Sequence, residues 1–276
     1  MENKDHSVGQ EIITKENLPA ILTQIGVERE KKGTSEVLIP HIRKVRGEVE
    51  KLGETSTVVQ LYQEEFLSAQ HMVMEEKAKK MRANPFRAAK GMFIMEATSK
   101  VMEKYTEENS ENLDPVIRAR IFRFLGRYVD YKGQFGKSET YYRKGLAYFD
   151  QSTKPEEKFN RLEFLGFLSY SLIKQGKMEE GISLAQQTLK DFDESDEGKW
   201  LKDNNYYAWA VWKSGIEIRT SEHIVKTKDF RCADLAKVFL ADSENILKMP
   251  DGTAESFRLR LDELDTTRDL MRKSRL

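Results

Sequence analysis

Cysteine is all but missing from this 276-residue chain; Cys232 stands alone, which excludes an intramolecular disulfide and a cysteine-based zinc centre. Proline is scarce at 6 residues and glycine modest at 16, so little breaks up long helical segments. There is no net charge, because 46 basic residues balance 46 acidic ones, and the global electrostatic footprint of a dedicated nucleic-acid binder is therefore lacking. No run of about 18 apolar residues occurs, so no membrane span is expected. The opening MENKDHSVGQEIITKEN lacks the apolar core of a secretory signal, and a cytoplasmic location is the default expectation. His6, His41, His71 and His223 are the only histidines, and none is placed four residues from another as a helical metal site requires. No Gly-x-Ser-x-Gly elbow is present, and the paired acids Glu64–Glu65 and Glu75–Glu76 are adjacent, so neither pair shares a helix face. No catalytic residue, metal or cofactor is expected, and the chain reads as non-enzymatic.

What is abundant is helix-forming material. Hydrophobic residues make up 39% and charged residues 33%, and apolar positions recur with a helical period from residue 17 onward. Residues 1–16 read as a flexible lead. Residues 17–112 read as helical hairpins: Asn17 and Ser35 are candidate caps, and Asn84-Pro85 is a break followed by a new helix. Asp114-Pro115 opens a third region, 113–249, and 250–276 reads as a turn at Pro250-Asp251-Gly252 followed by a charged terminal helix. About eleven helices and no strand are expected. The methionines Met72, Met74, Met81, Met92, Met95 and Met102 suit core filling by their helical spacing, with an adaptable binding face as the alternative.

Within that third region one pattern is written twice. Phe122, Leu125, Gly126, Gly133, Ser138, Tyr142 and Gly145 are answered by Leu165, Leu168, Ser169, Gly176, Gly181, Ala185 and Thr188. In both copies a turn glycine precedes a small, a larger and a small residue at the same offsets, which lets two antiparallel helices pack closely. The pattern resembles the tetratricopeptide repeat, although Gly133 and Gly176 are 43 residues apart against about 34 in the standard repeat. The resemblance implies an all-α fold of antiparallel helical hairpins stacked into a right-handed superhelix, with a concave groove that binds proteins or peptides.

It also implies which residues face that groove. Arg120, Arg123 and Arg127 form one helical stripe, continued by Tyr131. The same positions in the second copy give Glu163, Gly166, Tyr170 and Lys174. In a third hairpin, taking Gly215 as its turn, they give Lys202, Asn205, Trp209, Trp212 and Lys213. Arginine forks and aromatic anchors suit an acidic or carboxylate-ended peptide. A second basic cluster, Lys77, Lys79, Lys80, Arg82, Arg87 and Lys90, offers a nucleic-acid contact as one alternative, and a helical small-molecule sensor is the other. The segment Gly133-Gln-Phe-Gly136-Lys137-Ser138 ends like a phosphate-binding loop, but Tyr131 stands where its first glycine belongs, and the segment reads as a repeat turn.

Overall fold

The computed structural model describes residues 12–248 and 257–274, and among them there are helices and no strands. The helices are α1 (Leu18–Glu30), α2 (Ser35–Lys51), α3 (Thr55–Ala78), α4 (Pro85–Glu108), α5 (Pro115–Tyr131), α6 (Phe135–Phe149), α7 (Pro155–Lys158), α8 (Asn160–Lys174), α9 (Met178–Glu194), α10 (Asp196–Asn204), α11 (Tyr206–Thr227), α12 (Ala233–Leu247) and α13 (Arg258–Ser274). Packing is closest within the successive pairs α3–α4, α5–α6, α8–α9 and α11–α12, and α6 leans on α8 as α8 leans on α11. Helix α13 packs on α11 and α12 and also reaches α3, near the other end of the chain. The first eleven residues and the Pro250-Asp251-Gly252 turn lie outside the described residues.

Helix starts follow the chemistry of their caps. The Asn84 Oδ1 accepts the N–H groups of Phe86 (3.0 Å) and Arg87 (3.3 Å), and Asp114 Oδ1 accepts those of Val116 (2.8 Å) and Ile117 (3.2 Å). Two expected caps differ. Asn17 turns its side chain back to Thr14 and Ile12, and Thr34 occupies the cap position ahead of a buried Ser35.

The two written copies have the same turn. Gly133 (φ +70°) and Gly176 (φ +84°) adopt the left-handed conformation after α5 and α8. In each, the glycine N–H reaches a carbonyl three residues back (Asp130 at 2.9 Å, Ile173 at 3.0 Å). The next N–H reaches five back (Val129 at 2.9 Å, Leu172 at 3.0 Å). This is the Schellman closure, which satisfies the last free carbonyls of a helix and needs a residue without Cβ strain. Behind the turns, Ser138, Tyr142, Ala185 and Thr188 are fully buried. Gly126 is small because Tyr142 lies against it; a Cβ there would sit 2.4 Å from the ring.

Three apolar cores run along the chain. The first extends from Leu18 to Val129, across α1 to α5, and includes Met72, Met95 and Met102; the others centre on α5, α6 and α8 and on α9 to α13. Gly215 is not a turn. It lies inside α11, which starts nine residues earlier at a break capped by Asn205.

Candidate functional site

Two chambers lie between the helices, on either side of α13. The first, about 300 Å³, is bounded by α1, α3, α5, α8, α11 and α13; the second, about 620 Å³, by the end of α3, α5, α8, α11 and α13. Met74, Arg127, Arg219, Leu259 and Glu263 line both and form the partition.

Most of the expected groove residues converge there. Arg120, Arg123, Arg127, Asn205 and Trp212 line the first chamber, with Glu163 and Gly166 from the second copy. Tyr131 and Tyr170 line the second, with Arg127 again. Four expected residues do not; one of them, Lys202, sets its Nζ 4.7 Å from the Trp209 ring centroid, outside both chambers. Trp209 is core, 4% exposed, with its Nε1–H given to the Phe192 carbonyl at 3.1 Å. Lys213 is drawn outward to Asp193 (2.9 Å) and Asp242 (3.2 Å), and Lys174 rests over the Tyr170 ring outside both chambers. The register carried to the third hairpin fails because it assumed a turn at Gly215.

Side chains from distant parts of the sequence complete the first chamber: Arg29 and Glu30 from α1, Glu64 and His71 from α3, Arg219 from α11 and Arg260 from α13. The stripe on α11 was legible, since Asn205, Trp212 and Arg219 are spaced by seven and share a face. Nothing local in the sequence marks Arg29 or Arg260 as their neighbours.

The electrostatics are dense. Arg29 meets Glu30 (3.0 Å) and Glu64; Arg123 meets Glu163 Oε1 (2.9 Å); Arg260 meets Glu263. Arg127 donates to Asp130 Oδ2 (3.1 Å), which also accepts the Tyr142 hydroxyl (2.7 Å), while Ser171 donates to Asp130 Oδ1 (3.1 Å). Three guanidiniums gather on one ring: the Cζ atoms of Arg127, Arg219 and Arg123 lie 4.6, 5.1 and 5.3 Å from the Phe167 centroid. Burial pushes the Arg219 guanidinium down to about 10, helped by the cations of Arg260 and Arg127. Burial also pushes the His71 imidazole down to about 4, so it is neutral at pH 7.

Three members of the basic cluster at 77–90 are engaged internally. Arg87 pairs with Glu75 (2.8 Å), Glu76 (2.9 Å) and Glu36 (3.4 Å), Lys79 with Glu76, and Lys90 with Glu36. Glu76 also accepts the Asn84 N–H at 2.7 Å; burial opposes its charge, but these donors hold its carboxyl down at about 2. These three members brace the α3–α4 corner, which reduces the charge they can offer to phosphates.

No cluster of three or more histidine, cysteine, aspartate or glutamate side chains with metal-binding geometry occurs among the described residues, and no described helix is long and apolar enough to cross a membrane. Set beside known proteins, the chain matches no family model and no curated sequence.

Proposed function

We propose that the hairpins stack as a tetratricopeptide-like superhelix and that the chain is a non-enzymatic binding scaffold, holding a short segment of a protein partner in the groove that α13 divides. The observation that carries this reading is the convergence of Arg120, Arg123, Arg127, Tyr131, Tyr170, Asn205 and Trp212, chosen as groove positions, on two adjoining chambers. Cationic forks beside aromatic faces are what an acidic segment needs for anchoring. The helix-sized berth is already taken by α13, so the segment binds extended or as a chain end rather than as a helix about 10 Å across. The internal pairing of Lys79, Arg87 and Lys90 favours a protein partner over a nucleic acid.

The test is site-specific photocrosslinking in cells. A photoreactive residue at Tyr131 or Trp212, both chamber-lining, should capture a discrete partner. The same group at Val238, exposed on α12 and remote from both chambers, should not. Capture from Val238 alone would remove the groove from consideration.

A further inference from the structure

Six arginines line the first chamber, and two of them have no ion pair among the described residues. Arg29, Arg123, Arg127 and Arg260 are matched by Glu30 and Glu64, Glu163, Asp130 and Glu263. Arg120, on α5, and Arg219, on α11, make no ion pair: Glu163 and Glu64 act on Arg120, and Glu263 on Arg219, only from beyond contact, and each of those acids is already engaged by another arginine. Both are only partly exposed. Four of those acids, Glu30, Glu64, Glu163 and Glu263, line the chamber against six guanidiniums, and a buried cation without a pair is costly.

The arrangement concentrates that excess. Arg219 shares the Phe167 ring with Arg123 and Arg127. It also meets Arg260 over the bare backbone of Gly215: a Cβ built there would lie 3.0 Å from Arg260 Cζ and 3.3 Å from Arg219 Nη2. Like-charged groups packed this closely repel each other unless an anion sits among them. Donors are in place for one. Arg120 Nε, Arg123 Nη1, Arg127 Nε and Arg260 Nε are buried and have no acceptor, and Arg123, Arg127 and Arg260 are themselves 7%, 7% and 8% exposed. Asn205 on the same wall is spent on capping α11 through its Oδ1, and the positive ligands are the arginines.

We propose that this chamber is an oxyanion site in which Arg120 and Arg219 seat a carboxylate or phosphate group against the spare N–H donors of Arg123 and Arg127. The proposal deepens the groove reading by naming the anchor; it rests on that groove being the binding face, but not on the ligand being a peptide. Planar guanidinium forks match both kinds of oxyanion in the same way.

The experiment uses the full chain, with thermal unfolding and calorimetry in three probes at matched ionic strength against chloride: inorganic phosphate, triglutamate and triglutamine. At least one of the two anions should raise the unfolding temperature by several degrees, while triglutamine does not. A shift with phosphate alone assigns a phosphate-bearing ligand, and a shift with triglutamate alone assigns a carboxylate. Arg219→Gln and Arg120→Gln should each weaken the effective anion roughly tenfold or more, the loss of a charged hydrogen bond. Both variants should be at least as heat-stable as the parent without added anion, because each removes a cation that makes no ion pair among the described residues; a purely structural arginine would do the reverse. No shift with either anion overturns the oxyanion site, as does a shift left intact in both variants. Crosslinking from Tyr131 and Trp212 is scored separately, so the groove can stand when the anion seat falls.

Discussion

Replacing Tyr142 by phenylalanine deletes one oxygen and leaves the ring in place. The ring is fully buried, stacked on Phe167 at 5.6 Å and edge-on to Phe164 at 6.2 Å, and those contacts do not involve the hydroxyl. The hydroxyl donates to Asp130 Oδ2 at 2.7 Å, and burial pushes its own ionisation well above the ordinary tyrosine value, so it is a permanent donor. A hydrogen bond to a charged acceptor contributes about 1.5–3 kcal/mol. Asp130 keeps Arg127 and Ser171, so the carboxylate is not stranded and the loss stays in that range. For a chain of this size that corresponds to a fall in melting temperature of about 3–8 °C. Urea unfolding followed by circular dichroism should show a lower midpoint at unchanged slope. Tyr141→Phe on the same helix is the control, because that hydroxyl has no hydrogen bond among the described residues, and its cost should stay below about 0.5 kcal/mol. A loss below about 0.5 kcal/mol in Tyr142→Phe, or equal losses in the two variants, would refute the idea that Asp130 ties α5, α6 and α8 together through its hydrogen bonds.

Other outcomes follow from the same coordinates. Gly133→Ala, forced to keep φ +70°, should lose about 1–2 kcal/mol in the same unfolding assay; Gly133→Asn should lose less, since asparagine tolerates that conformation. His71 titrates near 4 in the folded chain against about 6.5 unfolded, so the unfolded state takes up the extra proton between those values. Stability is therefore complete above about pH 6.5 and falls towards pH 4; His71→Gln should flatten that stretch of the curve relative to the parent, by up to about 3 kcal/mol at its foot. Glu217, buried beside Asp242 and accepting the Ser243 hydroxyl at 2.6 Å, is pushed up to about 9 chiefly by burial. The folded chain keeps that proton up to about pH 9 while the unfolded chain releases it near 4.5, so its stabilisation is complete below about pH 4.5 and is lost progressively as pH rises towards 9. Glu217→Gln should thus gain at least about 1 kcal/mol over the parent at pH 8 and little at pH 4.

Local chemistry was legible and distant assembly was not. Asn84-Pro85, Asp114-Pro115 and the glycines at 133 and 176 announced their helix ends because each acts within one turn of its own position. The arginine stripe on α5 was legible for the same reason. Gly215 misled because a glycine inside a helix and a glycine ending one are identical letters; what distinguishes them here is Arg260 lying on top, a residue 45 positions away in the sequence. That single misreading moved Trp209 and Lys213 into the groove and left Arg219 out. Asn17 holds the cap position of α1 but its side chain is drawn back to the Thr14 N–H and the Ile12 carbonyl, and Ser35 fell one residue inside α2, with Thr34 at the cap position. Arg29, Glu64 and Arg260 entered the chamber only through contacts between separate helices, which no spacing rule encodes.

The reach of α13 to α3 has a consequence for how the chain comes apart. Arg258 Nη2 bonds Glu75 at 3.1 Å across a sequence separation of 183, so the last described helix is fastened to the second hairpin. Helical hairpins in a row ordinarily melt piecemeal, fraying from either end, because each depends only on its neighbours. A clasp between the two ends couples their unfolding, and closing so long a loop costs little more entropy than closing one half its length. The array becomes a ring in energetic terms: it should lose its helices in one cooperative transition, and cutting the clasp with Arg258→Ala should split that transition into separate steps.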